Sequence, residues 1–81
     1  MAYQVKNSTS KSIWWKDGAW NSGELDKGGV KDIESDHDAN VTFFYGGAHG
    51  NEELGKAWIP QNGAIEIKGK WQWDVYPSNQ W

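Results

Sequence analysis

Asn40-Val41-Thr42-Phe43-Phe44-Tyr45 is the stretch that decides the fold. It is built from β-branched and aromatic residues, and Val41, Phe43 and Tyr45 fall on alternate positions. That period of two predicts a strand with one buried face, and it turns Phe44 outward. The same alternation recurs on both sides of it. Tyr3 to Asn7, Lys11 to Trp15 and Val30 to Ile33 read as strands before it; Lys56 to Ile59, Ala64 to Lys68 and Lys70 to Tyr76 follow. Turn signals separate them: Ser8-Thr9-Ser10, read as a hairpin turn, Asp17-Gly18, Gln61-Asn62-Gly63 and the kink at Gly69. Trp20 to Gly29, Glu34 to Asn40 and Gly46 to Gly55 read as loops. No apolar period of 3.6 residues is found, so helices are not expected. The expectation is one all-β domain over residues 1–81, an antiparallel β-sandwich or small barrel of about six to seven short strands.

Composition then poses a problem. Seven tryptophans stand among 81 residues, while aliphatic residues are few. Aromatics must supply much of the core, yet an indole carries ~150–250 Å² of mostly apolar surface. So small a core cannot bury them all, and an exposed group of indoles points to binding. Alternation sorts them. Trp15, Trp71 and Trp73 are expected inside, with Ile13, Ala57, Ile59, Ile65, Ile67 and Val75. Trp14, Trp20, Phe44, Trp58, Tyr76 and Trp81 are the candidates for the surface. For each of these the plain alternative is a covering or packing role.

A flat indole stacks on the apolar face of a sugar ring while neighbouring polar groups take the hydroxyls. The aromatic site candidates are Trp14, Trp20, Trp58, Tyr76 and Trp81; the polar ones are the loop residues Asp17, Asn21, His49, Asn51 and Asn62. Glycans or glycoconjugates are the expected partners. The same rings could cage a choline-type cation, sit among membrane lipid headgroups, or form the interface of a homo-oligomer.

Other functions are disfavoured. A net charge of −3 with eight lysines and no arginine is unlike a nucleic-acid reader. Two histidines, no cysteine and no recognisable nucleophile-base order argue against an enzyme. Asp36-x-Asp38-x-Asn40 begins like a calcium loop, but Val41 and Gly47 stand where glycine and glutamate are needed. The acidic run is read as solvated, and neither metal nor cofactor is expected. Gly46-Gly47-Ala48-His49-Gly50 lacks the lysine-serine or lysine-threonine pair of a phosphate loop. The first residues contain no signal-like apolar run and no stretch approaches ~18 apolar residues. Together with the absence of cysteine, this suggests a cytoplasmic protein, or one released without a signal peptide.

Two sets of short segments resemble the aegerolysins, small acidic β-sandwich proteins of fungi and bacteria. Val5-Lys6-Asn7 followed by Ser12-Ile13 is similar to their opening strand pair, and Trp73-Asp74 followed by Pro77-Ser78-Asn79 to their closing segment. The resemblance implies lipid-headgroup binding without catalysis. It covers about a quarter of a chain far shorter than that family, and no functional residue is carried over. In general character the chain also resembles the small, cysteine-free, tryptophan-rich lectins of fungal and bacterial cytosol.

Overall fold

The computed structural model describes residues 2–18, 21–35, 38–46 and 52–81. Its strands are β1 (Ala2–Asn7), β2 (Ile13–Asp17), β3 (Ser22–Leu25), β4 (Val30–Glu34), β5 (Ala39–Tyr45), β6 (Glu52–Ile59), β7 (Ala64–Gly69) and β8 (Gln72–Tyr76). They form two four-stranded sheets, β4-β1-β7-β8 and β3-β2-β5-β6. The sheets pack face to face as a small β-sandwich. No helix among the described residues is long and apolar enough to cross a membrane.

The core is the alternating set expected from the sequence with one addition: Leu54, in the 46–55 stretch read as loop, joins it because β6 begins at Glu52. Tyr3, Val5, Ile65 and Ile67 come from the first sheet; Ile13, Trp15, Val41, Phe43, Leu54 and Ile59 come from the second. Burying apolar area of this kind is worth roughly 25 cal/mol per Å² and drives the two faces together. One polar contact also crosses the core. The Tyr3 hydroxyl on β1 donates to Asp17 Oδ2 on β2 at 2.6 Å. Burial, reinforced by that carboxylate's hydrogen bond and charge, pushes the Tyr3 pKa well above the usual phenol range.

Other findings also differ from the sequence expectation. There are eight strands rather than six or seven, because Ser22–Leu25, read as loop, pairs with β2. Gly23 is tolerated there because it faces Trp15: a Cβ at Gly23 would lie 3.4 Å from Trp15 Cζ2. The sandwich is not wholly antiparallel, since β1 and β7 pair in parallel. Ser8–Ser10 does not close a hairpin; β1 and β2 belong to different sheets, and this segment carries the chain across. Buried Asn7 organises that crossing, donating to Lys11 O (2.8 Å) and Leu25 O (2.9 Å) while accepting from the Thr9 N–H (2.9 Å). Finally, Trp71 and Val75, both expected inside, are exposed; only Trp73 of that face packs against the core. The Trp71 φ of 58° breaks the alternation before β8 begins.

The two sheets meet along β6 and β8. The Trp71 N–H donates to Leu54 O at 2.7 Å. Trp73 enters beneath Gly55, edge-on to Phe43 at a centroid separation of 5.3 Å. On the outer face of the first sheet, the C-terminal residues fold back as a strap. Gln4 Oε1 accepts from the N–H groups of Gln80 (2.8 Å) and Trp81 (3.0 Å), and Gln4 Nε2 donates to Trp81 O. Gln4 and Ala64 are buried although they belong to an outer face.

Candidate functional site

Three groups of described residues converge at one end of the sandwich: 17, 18 and 21; 35 and 38–40; and the turn at 60–63. The first is closed by Asp17. Its N–H donates to Asn21 O (2.9 Å), while its Oδ1 and Oδ2 accept from the Asn21 N–H and Nδ2, each at 3.0 Å. Asn21 Nδ2 also reaches Glu34 O at 3.3 Å, which ties this group to β4. The third group is held by Asp38, whose Oδ1 accepts from the Gln61 N–H at 2.9 Å. Asn62 supplies the left-handed residue of that turn (φ 65°), a conformation asparagine tolerates better than most residues. With its amide oriented to satisfy both ends, Asn79 donates to Asn62 O (2.8 Å) and Gly63 O (3.1 Å).

Among the described residues, two shallow pockets open beside Asp17 and Gly18. One, of 310 Å³, is lined by Lys16, Asp17, Gly18, Asn21 and Ser22. The other, of 230 Å³, is lined by Asp17, Gly18, Ser35, Asp38, Ala39 and Asn40. They share Asp17 and Gly18, and the first alone reaches the lower end of the ~300–1,000 Å³ of small-ligand sites. The linings offer carboxylate and amide oxygens as acceptors, and hydroxyl, amide and ammonium groups as donors. Asn40 is the cross-strand partner of Trp58, whose indole is exposed on the outer face of β6. Strand pairing thus sets one lining residue of the cavity beside the strand position that bears an exposed indole.

Of the residues expected at a site, Asp17, Asn21, Asn62 and Trp58 gather at this end. The other described candidates do not. Trp14 is outward on β2, as expected, but half-buried beside its cross-strand neighbour Phe44. Phe44 itself faces outward yet is buried, with Lys16 Nζ 5.9 Å from its ring centroid. Tyr76 and Trp81 lie on the outer face of the opposite sheet, edge-to-face at 5.9 Å, with Lys6 Nζ 5.1 Å from the Trp81 ring. There the strap uses the Trp81 indole to cover its own sheet. Tyr76 OH donates to Glu66 Oε1 at 3.4 Å. Desolvation, then the charges of Asp74 and Glu66, raise the Tyr76 pKa. Trp20, His49 and Asn51 lie outside the described residues.

Sequence reading missed Ser35, Asp38 and Asn40, which it treated as a solvated acidic loop. Their one signal was position, immediately before the most certain strand, where side chains stand at a sheet's end. It also missed Trp71, which is exposed despite its central place in an aromatic run. A left-handed backbone costs an L-residue other than glycine roughly 1–2 kcal/mol. Trp71 is held in it by the bond to Leu54 O and lies 6.3 Å from Trp73, ring to ring.

The fold is a small all-β sandwich with shallow polar pockets at one end. The chain matches no family model, no curated protein and no solved structure. The resemblance to aegerolysins rests on the short segments quoted above.

Proposed function

We propose that this protein is a non-enzymatic carbohydrate-binding module whose site is the Asp17–Asn40 cleft with Trp58 as its aromatic wall. The carrying observation is that Asn40, a lining residue of the cleft, is paired across the sheet with the exposed Trp58. A pyranose needs this combination: an apolar face stacks on a ring while hydroxyls meet amide, carboxylate and hydroxyl groups alongside. Lipid-headgroup binding, the function suggested by aegerolysins, is served less well. Trp58 and Trp81 stand on opposite sheets, so a single flat bilayer surface cannot receive both. Self-association of the chain would raise the avidity of a weak, shallow sugar site. A cysteine-free chain suits a reducing compartment such as the cytoplasm.

The test is a saccharide titration followed by tryptophan fluorescence and by the indole N–H signals. Replacing Trp58 by alanine should weaken binding about tenfold or more, as loss of an aromatic anchor does. Its stability should stay within about 0.5 kcal/mol of the parent, since the ring is at the surface. If no neutral saccharide perturbs any indole, the reading fails.

A further inference from the structure

Among the described residues, Trp71 and Trp58 expose more of themselves than any other large apolar side chain, at 60% and 54%. Both are fixed to the same strand. Trp58 projects from β6, and the Trp71 backbone is hydrogen-bonded to Leu54, four residues earlier on β6. At about 3.3 Å per residue, the two attachment points lie about 13 Å apart. One pyranose ring cannot cover that span, but a short linear oligosaccharide can.

Around these two attachment points, β6 and the residue before Trp71 carry charges that balance. Lys56 is exposed on the same outer face as Trp58, cross-strand from Thr42. Nearer Trp71, Lys70 Nζ meets Glu52 Oε2 at 3.2 Å, with Glu53 exposed next in sequence. Two ammonium groups and two carboxylates leave the strip without net charge, which suits a neutral chain better than an anionic one. Trp71 is also not a casual surface residue. It occupies a left-handed position that glycine would fill without strain, and it is braced from below by Trp73.

Building on the carbohydrate-binding function proposed above, we propose that the ligand is a neutral linear oligosaccharide lying along β6, with one ring on Trp58 and a later ring on Trp71. Trp71 is then a second subsite that selects for chain length.

The experiment compares monosaccharides with their linear trimers: N-acetylglucosamine with chitotriose, glucose with cellotriose and maltotriose, mannose with mannotriose. Each is titrated into the parent chain, Trp71→Asn and Trp71→Phe. Asparagine tolerates the left-handed backbone, and phenylalanine keeps a ring; thermal midpoints verify that both variants are folded. For at least one series, the trimer should bind the parent about tenfold or more tighter than its monomer. Trp71→Asn should erase that gain and leave the monosaccharide affinity unchanged, while Trp71→Phe keeps part of it. A gain that survives Trp71→Asn, or no gain with length, overturns the second subsite and leaves the Trp58 cleft standing. If no saccharide of either length binds, the carbohydrate reading itself is overturned. Indole shifts with phosphatidylcholine–phosphatidylserine vesicles and none with saccharides overturn both in favour of a membrane surface.

Discussion

Gly55→Ala tests the seam where the two sheets meet. A Cβ at residue 55 would lie 2.3 Å from Trp73 Cζ3, 2.8 Å from Cη2 and 3.0 Å from Cε3. Carbon atoms rest at about 3.5–4.0 Å, so the indole must withdraw by more than about 1 Å. Movement toward the core is blocked, because the indole is edge-on to Phe43 at 5.3 Å and Phe43 is fully buried. Overpacking of this kind costs about 1–3 kcal/mol. The backbone adds to it, since the φ of 156° at Gly55 is one that L side chains rarely adopt. A total of about 2–4 kcal/mol should lower the melting temperature by roughly 8–32 °C, at about 4–8 °C per kcal/mol for a domain of this size. Urea and thermal denaturation, followed by near-ultraviolet circular dichroism, measure it. The companion variant Trp73→Leu removes the clashing ring, and in that background the same glycine substitution should cost at least about 1 kcal/mol less. A melting temperature within a degree or two of the parent, or strict additivity of the two changes, would refute the packing described here.

Further outcomes follow from other contacts. Tyr3→Phe deprives the buried Asp17 carboxylate of a donor and should cost about 1–3 kcal/mol in urea denaturation. Because the folded-state pKa of Tyr3 is raised above its unfolded value, this group's contribution is fully present below about pH 10 and is lost as pH rises beyond that. Stability of the parent should therefore fall by up to about 1.4 kcal/mol per pH unit there, and Tyr3→Phe should lack that component. Gln4→Leu removes the acceptor and donor that hold the C-terminal strap. The Trp81 indole should then become more accessible to acrylamide, and stability should drop by about 1–2 kcal/mol. Trp15, buried with no hydrogen-bond partner for its Nε1 among the described residues, should stay dark to the same quencher in every folded variant.

What the sequence made legible was local. Alternation placed Val41 and Phe43, Ile65 and Ile67, Ala57 and Ile59, and Ile13 and Trp15 on inward faces, and Trp58 on an outward one. Each inference needed only one strand. The errors arose where a partner strand decides. Gly23 looks like a loop residue until Trp15 is known to lie across from it. Ser8-Thr9-Ser10 looks like a hairpin because nothing local distinguishes a turn within a sheet from a crossing between sheets. Trp71 fits the alternation of Trp73 and Val75, but the bond from its N–H to Leu54 O bends the chain before the strand begins. The candidate site was legible in its chemistry and less so in its membership. Indole, amide and carboxylate were the expected groups, yet only pairing could show that Trp58 stands beside Asn40 while Tyr76 and Trp81 face the other way.

The parallel union of β1 with β7 has a consequence for how the molecule comes into being. Strand β1 lies inside a sheet, and its β7 neighbour is synthesised only after β2 to β6. Sheet β4-β1-β7-β8 cannot be completed on a partial chain, and until then Tyr3 and Val5 have just β4 beside them. Such distant pairings make folding slow, on the order of milliseconds to seconds for all-β domains rich in non-local contacts. Shortened products ending before residue 64 should accumulate as aggregates rather than as a stable half-sandwich.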